Sequence, residues 1–111
     1  MNTKTNPYDQ IPYQSHPYRA THPGHMAAIA TLFGLSPAAV EQCRVLEIGC
    51  AGGENLFPLA TTCPNAQFVG LDYSQVQITA AQATQKELKL NNIEFQCANL
   101  CDVDPAKLGQ F

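Results

Sequence analysis

The sequence predicts an α/β fold, a parallel β-α-β-α-β sheet preceded by an extended arm and helices. Three observations carry that prediction. Short apolar runs at Val45–Ile48, Gln67–Leu71 and Ile93–Cys97 have strand length and composition. The first two are each followed by a helix-compatible segment, which is the rhythm of parallel strands joined by right-handed crossovers. Between the first strand and its helix lies Gly49-Cys-Ala-Gly-Gly53, a turn of small residues that presents backbone N–H groups to a ligand.

The chain of 111 residues allows one domain with a small but adequate core. Its 45% hydrophobic and 14% charged content describes a globular chain rather than a disordered one. The formal net charge is −3, and the six basic residues are scattered, so there is no electrostatic footprint for nucleic acid. No apolar run approaches the ~18–20 residues of a membrane span. The polar stretch Met1 to Asp9 lacks the apolar centre of a signal peptide, which points to the cytoplasm. Cysteines 43, 50, 63, 97 and 101 are odd in number, and His16, His22 and His25 are far from them in sequence. Small buried thiols are a better reading than a metal centre or a disulfide framework.

Residues 1–24 form an arm in which Pro7, Pro12, Pro17 and Pro23 alternate with Tyr8, Tyr13 and Tyr18. Prolines at this frequency keep the backbone extended and oppose a helix. The tyrosines suit an arm lying on the domain or one closing over a ligand. Residues 25–111 are expected to form the N-terminal half of a larger domain. A first helix starts at His22-Pro23, buries Met26, Ile29, Ala30 and Phe33 along one face, and is capped by Gly34. Ser36-Pro37-Ala38-Ala39 suggests a second, short helix. After the glycine turn a helix from Glu54 or Asn55 to Thr62 leaves Pro58 near its start, where a proline loses no internal bond. Ser74 and Gln77 make a capping box for a helix from Gln75 to about Leu90, whose stripe is Ile78, Ala81, Gln85 and Leu88. Asn91-Asn92 offers the left-handed residue that ends it. Asp104-Pro105 caps a last short turn.

Ligands of such a sheet bind beyond the C-terminal ends of the strands. Three loops lie there: Glu47 to Asn55, Asp72 to Ser74 and Ala98 to Asp102. Gly49, Ala51 and Gly52 let a ligand approach the backbone. Asp72 can accept from two ribose hydroxyls, and Asn99 with the Leu100 backbone can read a purine edge. A dinucleotide fingerprint starting at Gly49 wants glycines where the chain has Ala51 and Glu54, and no Gly-Lys-Ser/Thr follows the turn. The loop therefore suits a ligand without phosphates, and Glu47 favours a cationic one. Each residue also has a plainer reading. Glu47 could cap backbone N–H groups, Asp72 could be a turn residue before Ser74, Asn99 an ordinary loop asparagine, and Tyr73 surface filler.

Val45-Leu-Glu-Ile-Gly-Cys-Ala-Gly-Gly53 resembles the glycine-rich signature of class I S-adenosyl-L-methionine-dependent methyltransferases. Phe68-Val-Gly-Leu-Asp-Tyr-Ser74 resembles their next strand, and Phe95-Gln-Cys-Ala-Asn-Leu100 their adenine-contacting segment. The run from Tyr13 through Thr21-His-Pro23 to Phe33-Gly34 is similar to bacterial members with a C-terminal regulatory domain, some relatives of which methylate protein lysines. The resemblance implies a truncated Rossmann-like three-layer sandwich and S-adenosylmethionine as donor. It places Glu47 near the methionine amino group, directly or through water, with Gly49, Cys50 and Ala51 lining that part of the ligand and Gly52 allowing the close turn. Asp72 would hold the ribose, Tyr73 would pack on the adenine, Asn99 would meet its exocyclic amine and the Leu100 N–H a ring nitrogen. Ala51 and Asn99 depart from the glycine and aspartate many relatives carry there.

No residue of the segment is a convincing general base, so the catalytic residues and the methyl acceptor, a protein lysine or a small molecule, stay open. Only three of about seven strands are visible. The resemblance thus implies the donor-binding part of a longer enzyme, inactive alone, whose first strand has a bare edge able to pair with another chain. The rival readings are a fragment of an NAD(P)-binding oxidoreductase, which Ala51 and Glu54 disfavour, and a non-catalytic Rossmann-like interaction module.

Overall fold

The computed structural model describes residues 5–111. Met1–Lys4, the start of the predicted arm and of the polar N-terminus, lie outside the described residues. The elements are α1 (Pro7–Gln10), α2 (Pro23–Leu32), β1 (Arg44–Ile48), α3 (Leu56–Thr62), β2 (Gln67–Asp72), α4 (Gln75–Leu88), β3 (Ile93–Cys97) and α5 (Pro105–Leu108), with 3-10 turns at Arg19–Thr21, Val40–Gln42 and Leu100–Asp102. The three strands form one parallel sheet in the order β1-β2-β3, an α/β arrangement of the expected Rossmann-like kind. Val45 pairs with Phe68 and Phe68 with Ile93, while Glu47 pairs with Gly70 and Gly70 with Phe95.

Because side chains alternate along a strand, this register puts Val45, Phe68, Ile93 and Phe95 on one face. There they join Leu56, Phe57, Leu59 and Ala60 of α3 and Ile78 and Ala81 of α4 in a single core. Phe68, Leu56 and Ile78 are each 1% exposed, so removing any of these side chains leaves a cavity no neighbour can fill cheaply. Glu47 shares that face at the C-terminal end of β1, which turns its carboxylate toward the start of α3. At the other end of β1, the Arg44 guanidinium donates to the Leu108 and Gln110 carbonyls and lies 4.5 Å over the Phe111 ring, folding the C-terminal residues back on the strand.

The caps follow local chemistry. His22 Nδ1 accepts the Gly24 N–H at the start of α2. Gly34, at φ +84°, ends that helix with Gly34 and Leu35 N–H groups donating back to Thr31 and Ala30 carbonyls. The Ser74 hydroxyl accepts the Gln77 N–H and Asp104 Oδ1 the Ala106 N–H. The reciprocal half of the predicted capping box is not made, because the Ser74 N–H donates to Asp72 Oδ1 instead, while Gln77 Nε2 donates to the Tyr13 carbonyl of the arm.

Four expectations are corrected. The arm is not wholly extended: Pro7–Gln10 is one helical turn, permitted because Pro7 occupies its first position and Asn6 Oδ1 caps the Tyr8 N–H. The face of α2 carrying Met26, Ile29 and Phe33 is exposed, Phe33 to 80%; the period is helical, but among the described residues nothing covers it. Ser36–Ala39 forms no helix, and only Val40–Gln42 turns. Finally, α4 ends at Leu88 with Lys89 left-handed at φ +54°, not with Asn91-Asn92, and Leu88 is exposed.

Asn92 has a different task. It is buried, and its Nδ2 group sits 3.0–3.1 Å from the carbonyls of Ala60, Cys63 and Ala66, gathering the end of α3 and the turn into β2. Asn92→Ala removes the side-chain donor shared by these carbonyls, of which Cys63 keeps the Ala66 N–H, so we expect a loss of about 2–3 kcal/mol, read as a lowered urea midpoint with an unchanged slope.

Candidate donor-binding site

The turn after β1 is built by backbone geometry. Gly49 (φ +77°), Ala51 (φ +48°) and Gly53 (φ +86°) are all left-handed. The Gly49 and Cys50 N–H groups donate to the Leu71 carbonyl at 2.7 and 3.0 Å. The Ala51 N–H donates to Asp72 Oδ2 at 2.8 Å, while Asp72 Oδ1 accepts the Ser74 N–H at 2.8 Å. A single carboxylate therefore clamps the first loop to the second. Ala51 is the one non-glycine residue in this turn at positive φ, where a Cβ is strained. Ala51→Gly is expected to stabilise the chain by about 0.5–1 kcal/mol, measured by denaturant unfolding. The gain is reduced by the greater freedom of glycine in the unfolded chain.

The ends of the three strands enclose a cavity of about 740 Å³. Gly49 and Ala51 from the first loop, Asp72 and Tyr73 from the second, and Asn99 and Leu100 from the third all line it. Ile48, Leu71 and Ala98 add apolar surface, and the arm supplies a further wall through Tyr8, Ile11, Pro12 and Tyr13. The arm is held there by Asn6 Nδ2 donating to the Tyr73 carbonyl, by Asp9 Oδ1 accepting from the Ser74 hydroxyl and the Val76 N–H, and by the Gln77–Tyr13 bond. Sequence reasoning saw the aromatic arm but not which of its residues face the strand ends. Only the alternation of tyrosine with proline hinted at it.

Glu47, Cys50 and Gly52 do not line this cavity. Cys50 is a correction: its side chain is 2% exposed and enters the core, with Sγ beside Gly70. Burial, reinforced by the Asp72 and Glu47 carboxylates, pushes its thiol up to about 12, so it stays protonated. The glycines of the turn differ in how closely the protein packs on them. A Cβ at Gly52 would meet only the flexible Glu54 carboxylate, whereas one at Gly53 would fall 2.6 Å from the Phe95 ring.

Glu47 stands behind the turn. Its Oε1 accepts from Asn55 Nδ2 at 3.0 Å, while its Oε2 is buried and without a partner among the described residues. Burial pushes its pKa above the usual carboxylate value, the Asn55 bond opposes that rise, and the Glu54 charge adds to it. A buried, unpaired carboxylate oxygen is costly unless a donor arrives. Asn55, which the sequence offers only as a helix start, is thus the one hydrogen-bond partner of the Glu47 carboxylate among the described residues. Asn99 has a local duty as well, its Oδ1 accepting the Cys101 N–H and capping the turn that follows.

Residues 39–108 match the family described as methyltransferase domain, and the chain belongs to that family. Its fold is that of a methyltransferase domain. Among similar proteins, the uncharacterized protein RP789 of Rickettsia prowazekii is 48% identical over 106 residues, which cover 96% of this chain and 19% of that protein. The structure of PKMT2 from Rickettsia typhi in complex with AdoHcy superposes with a TM-score of 0.83 at 37% identity, covering 90% of this chain and 19% of that one. A tRNA (guanine-N(7)-)-methyltransferase of Prochlorococcus marinus is 38% identical over 55 residues, 50% of this chain and 26% of that enzyme. The chain therefore spans about a fifth of the length of the first two relatives.

Among the described residues no helix is long and apolar enough to cross a membrane, and all five cysteines are free thiols.

Proposed function

We propose that this chain is the donor-binding part of an S-adenosylmethionine-dependent methyltransferase, working in the cytoplasm. The observation that carries the reading is the strand-end cavity, large enough for a nucleoside, with the buried, unpartnered Glu47 Oε2 behind the turn that lines it. A carboxylate so placed suits the ammonium of a methionine moiety. Asp72 then takes the ribose hydroxyls on lone pairs its two backbone bonds leave free, Tyr73 packs on the base, and Asn99 and the Leu100 N–H read its edge. Gly49 and Ala51 line the approach to the sulfonium. The bound donor supplies an activated methyl group; these residues bind it, orient it and hold the counter-charge.

The AdoHcy bound in PKMT2 supports this donor, and the similarity to PKMT2 and RP789 over almost the whole chain supports a larger enzyme; membership of the subgroup with a C-terminal regulatory domain rests on the motif resemblance alone. The tRNA methyltransferase similarity covers half the chain, and six scattered basic residues speak against a nucleic-acid acceptor. A protein lysine or small molecule is the acceptor class we favour. The division into an arm over residues 1–24 and the beginning of a methyltransferase domain over 25–111 fits the bonds that tie the arm to the strand ends. The free side of β1, where Ile48 is 55% exposed, suits pairing with a strand of a longer polypeptide or of a second copy. A monodisperse monomer in sedimentation would argue against pairing by this chain alone.

Calorimetry with S-adenosylhomocysteine tests the donor site. Saturable heat supports it. No heat from folded protein, or heat with NADH instead, would overturn it in favour of a non-catalytic module or an oxidoreductase fragment.

A further inference from the structure

The arm and the glycine turn meet at one buried side chain. Asn55 is 4% exposed and stands at the head of α3, yet it caps no helical N–H. Its Nδ2 group donates to Glu47 Oε1 and to the Thr21 hydroxyl, both at 3.0 Å, and its Oδ1 accepts the Tyr18 backbone N–H at 2.7 Å. The Thr21 hydroxyl donates in turn to the Tyr18 carbonyl at 2.8 Å. Since the Tyr18 N–H can only donate, it fixes which end of the amide faces the arm, and the two amide protons are left for Glu47 and Thr21. Alanine offers no side-chain donor or acceptor here, and aspartate offers no donor. Beside this joint, between the arm and α3, a second cavity of about 640 Å³ is lined by Tyr18, Arg19, His22, Asn55 and Pro58. The arm is thus pinned at points rather than packed solid.

We propose that Asn55 is a positioning residue that joins the seating of the arm to the orientation of Glu47, so that donor binding and arm closure favour each other. This rests on the donor-site reading above. A ligand ammonium on Glu47 Oε2 holds the carboxylate in the orientation that keeps Oε1 on Asn55, and Asn55 so held keeps its oxygen on Tyr18. By reciprocity, a seated arm presents Glu47 already aligned. The three bonds are short-range and share one rigid amide, which is the physical link the coupling needs.

The arm carries its own reporter, the exposed Arg19-Ala20 bond, a trypsin site within the pinned turn. S-adenosylhomocysteine is expected to slow cleavage there roughly 10-fold in the wild type, within the usual range of such coupling. Asn55→Ala should cleave fast with or without the ligand and bind it roughly 10-fold more weakly. Asn55→Asp keeps the acceptor for Tyr18 and can accept the Thr21 hydroxyl in place of donating to it, but loses the donor to Glu47. It should be cleaved like the wild type without ligand, yet gain little protection and bind weakly. Thr21→Val, at a half-buried position that leaves the core alone, should raise ligand-free cleavage.

A merely structural Asn55 would not move one further readout. In Asn55→Ala the pH at which ligand binding is half lost should rise, because the bond that favours charged Glu47 is gone while Glu54 and burial still oppose it. Equal protection and equal affinity in wild type and a folded Asn55→Ala would overturn the proposal. If that variant does not fold, unchanged cleavage in Thr21→Val overturns it. Absence of heat in the wild type would overturn the donor reading itself, and the coupling with it.

Discussion

Asp72→Ala is expected to weaken S-adenosylhomocysteine binding by at least ~100-fold, the largest single loss we foresee from this chain. Three contributions add. The ribose loses a charged acceptor, and hydrogen bonds to charged groups are worth about 1.5–3 kcal/mol each. The Ala51 N–H loses Oδ2, so the left-handed residue between Gly49 and Gly53 is released from its clamp. The Ser74 N–H loses Oδ1, loosening the start of α4 next to the bond that holds Asp9. Calorimetry reads the affinity, and a denaturant series separates the clamp from the ribose. Asp72→Asn, which keeps one acceptor oxygen, should recover part of the stability but little of the binding. Near-wild-type affinity in a folded Asp72→Ala would place the ribose elsewhere.

Glu47→Gln should lower affinity by roughly 10–100-fold, the worth of one charge-assisted bond, while removing the burial cost of the charge. Its pH behaviour follows from the raised pKa. Burial favours the protonated acid in the folded chain. This contribution to stability is full below the unfolded value and is lost as pH rises through the folded one. Ligand binding runs the other way, since an ammonium wants the carboxylate charged, and is lost as pH falls through the same raised value. Ligand-free stability and donor affinity should therefore slope oppositely with pH in the wild type, and both slopes should flatten in Glu47→Gln. A thermal melt series with and without S-adenosylhomocysteine measures both. Parallel slopes would remove Glu47 from the ammonium.

What could be read from residues alone was whatever local chemistry decides. The strands end within a residue of their expected bounds, because each is an apolar run closed by turn residues, and Ser74 and Asp104 cap as their spacing requires. Gly49, Ala51, Asp72, Tyr73, Asn99 and Leu100 come to one cavity because parallel topology gathers strand ends. What stayed hidden depends on partners distant in sequence. The helical period of α2 identifies a stripe but not whether anything covers it. A proline-rich arm looks incapable of helix until Asn6 is seen capping Pro7–Gln10. Asn55 and Asn92 read as ordinary polar residues, and only the fold supplies Tyr18, Glu47 and three inward carbonyls to satisfy them. The inward turn of Cys50 was equally illegible, because it follows from the left-handed residues on either side of it.

The Phe95 ring occupies a place with wider meaning. It stands within 3 Å of where side chains on Gly53 and Gly70 would begin, with Cys50 Sγ on the far side of Gly70, and lies 5.4 Å from the Phe57 ring. One aromatic disc on the third strand thus acts as a keystone, wedged between the central strand and the glycine turn after β1. The loop's shape is held from beneath, by packing, as well as from above by the Asp72 clamp. Donor affinity can consequently be tuned from the interior. Trimming that disc to leucine slackens the loop without touching a single atom of the cavity wall, so substitutions in the core become a route by which such a domain adjusts how tightly it grips its ligand.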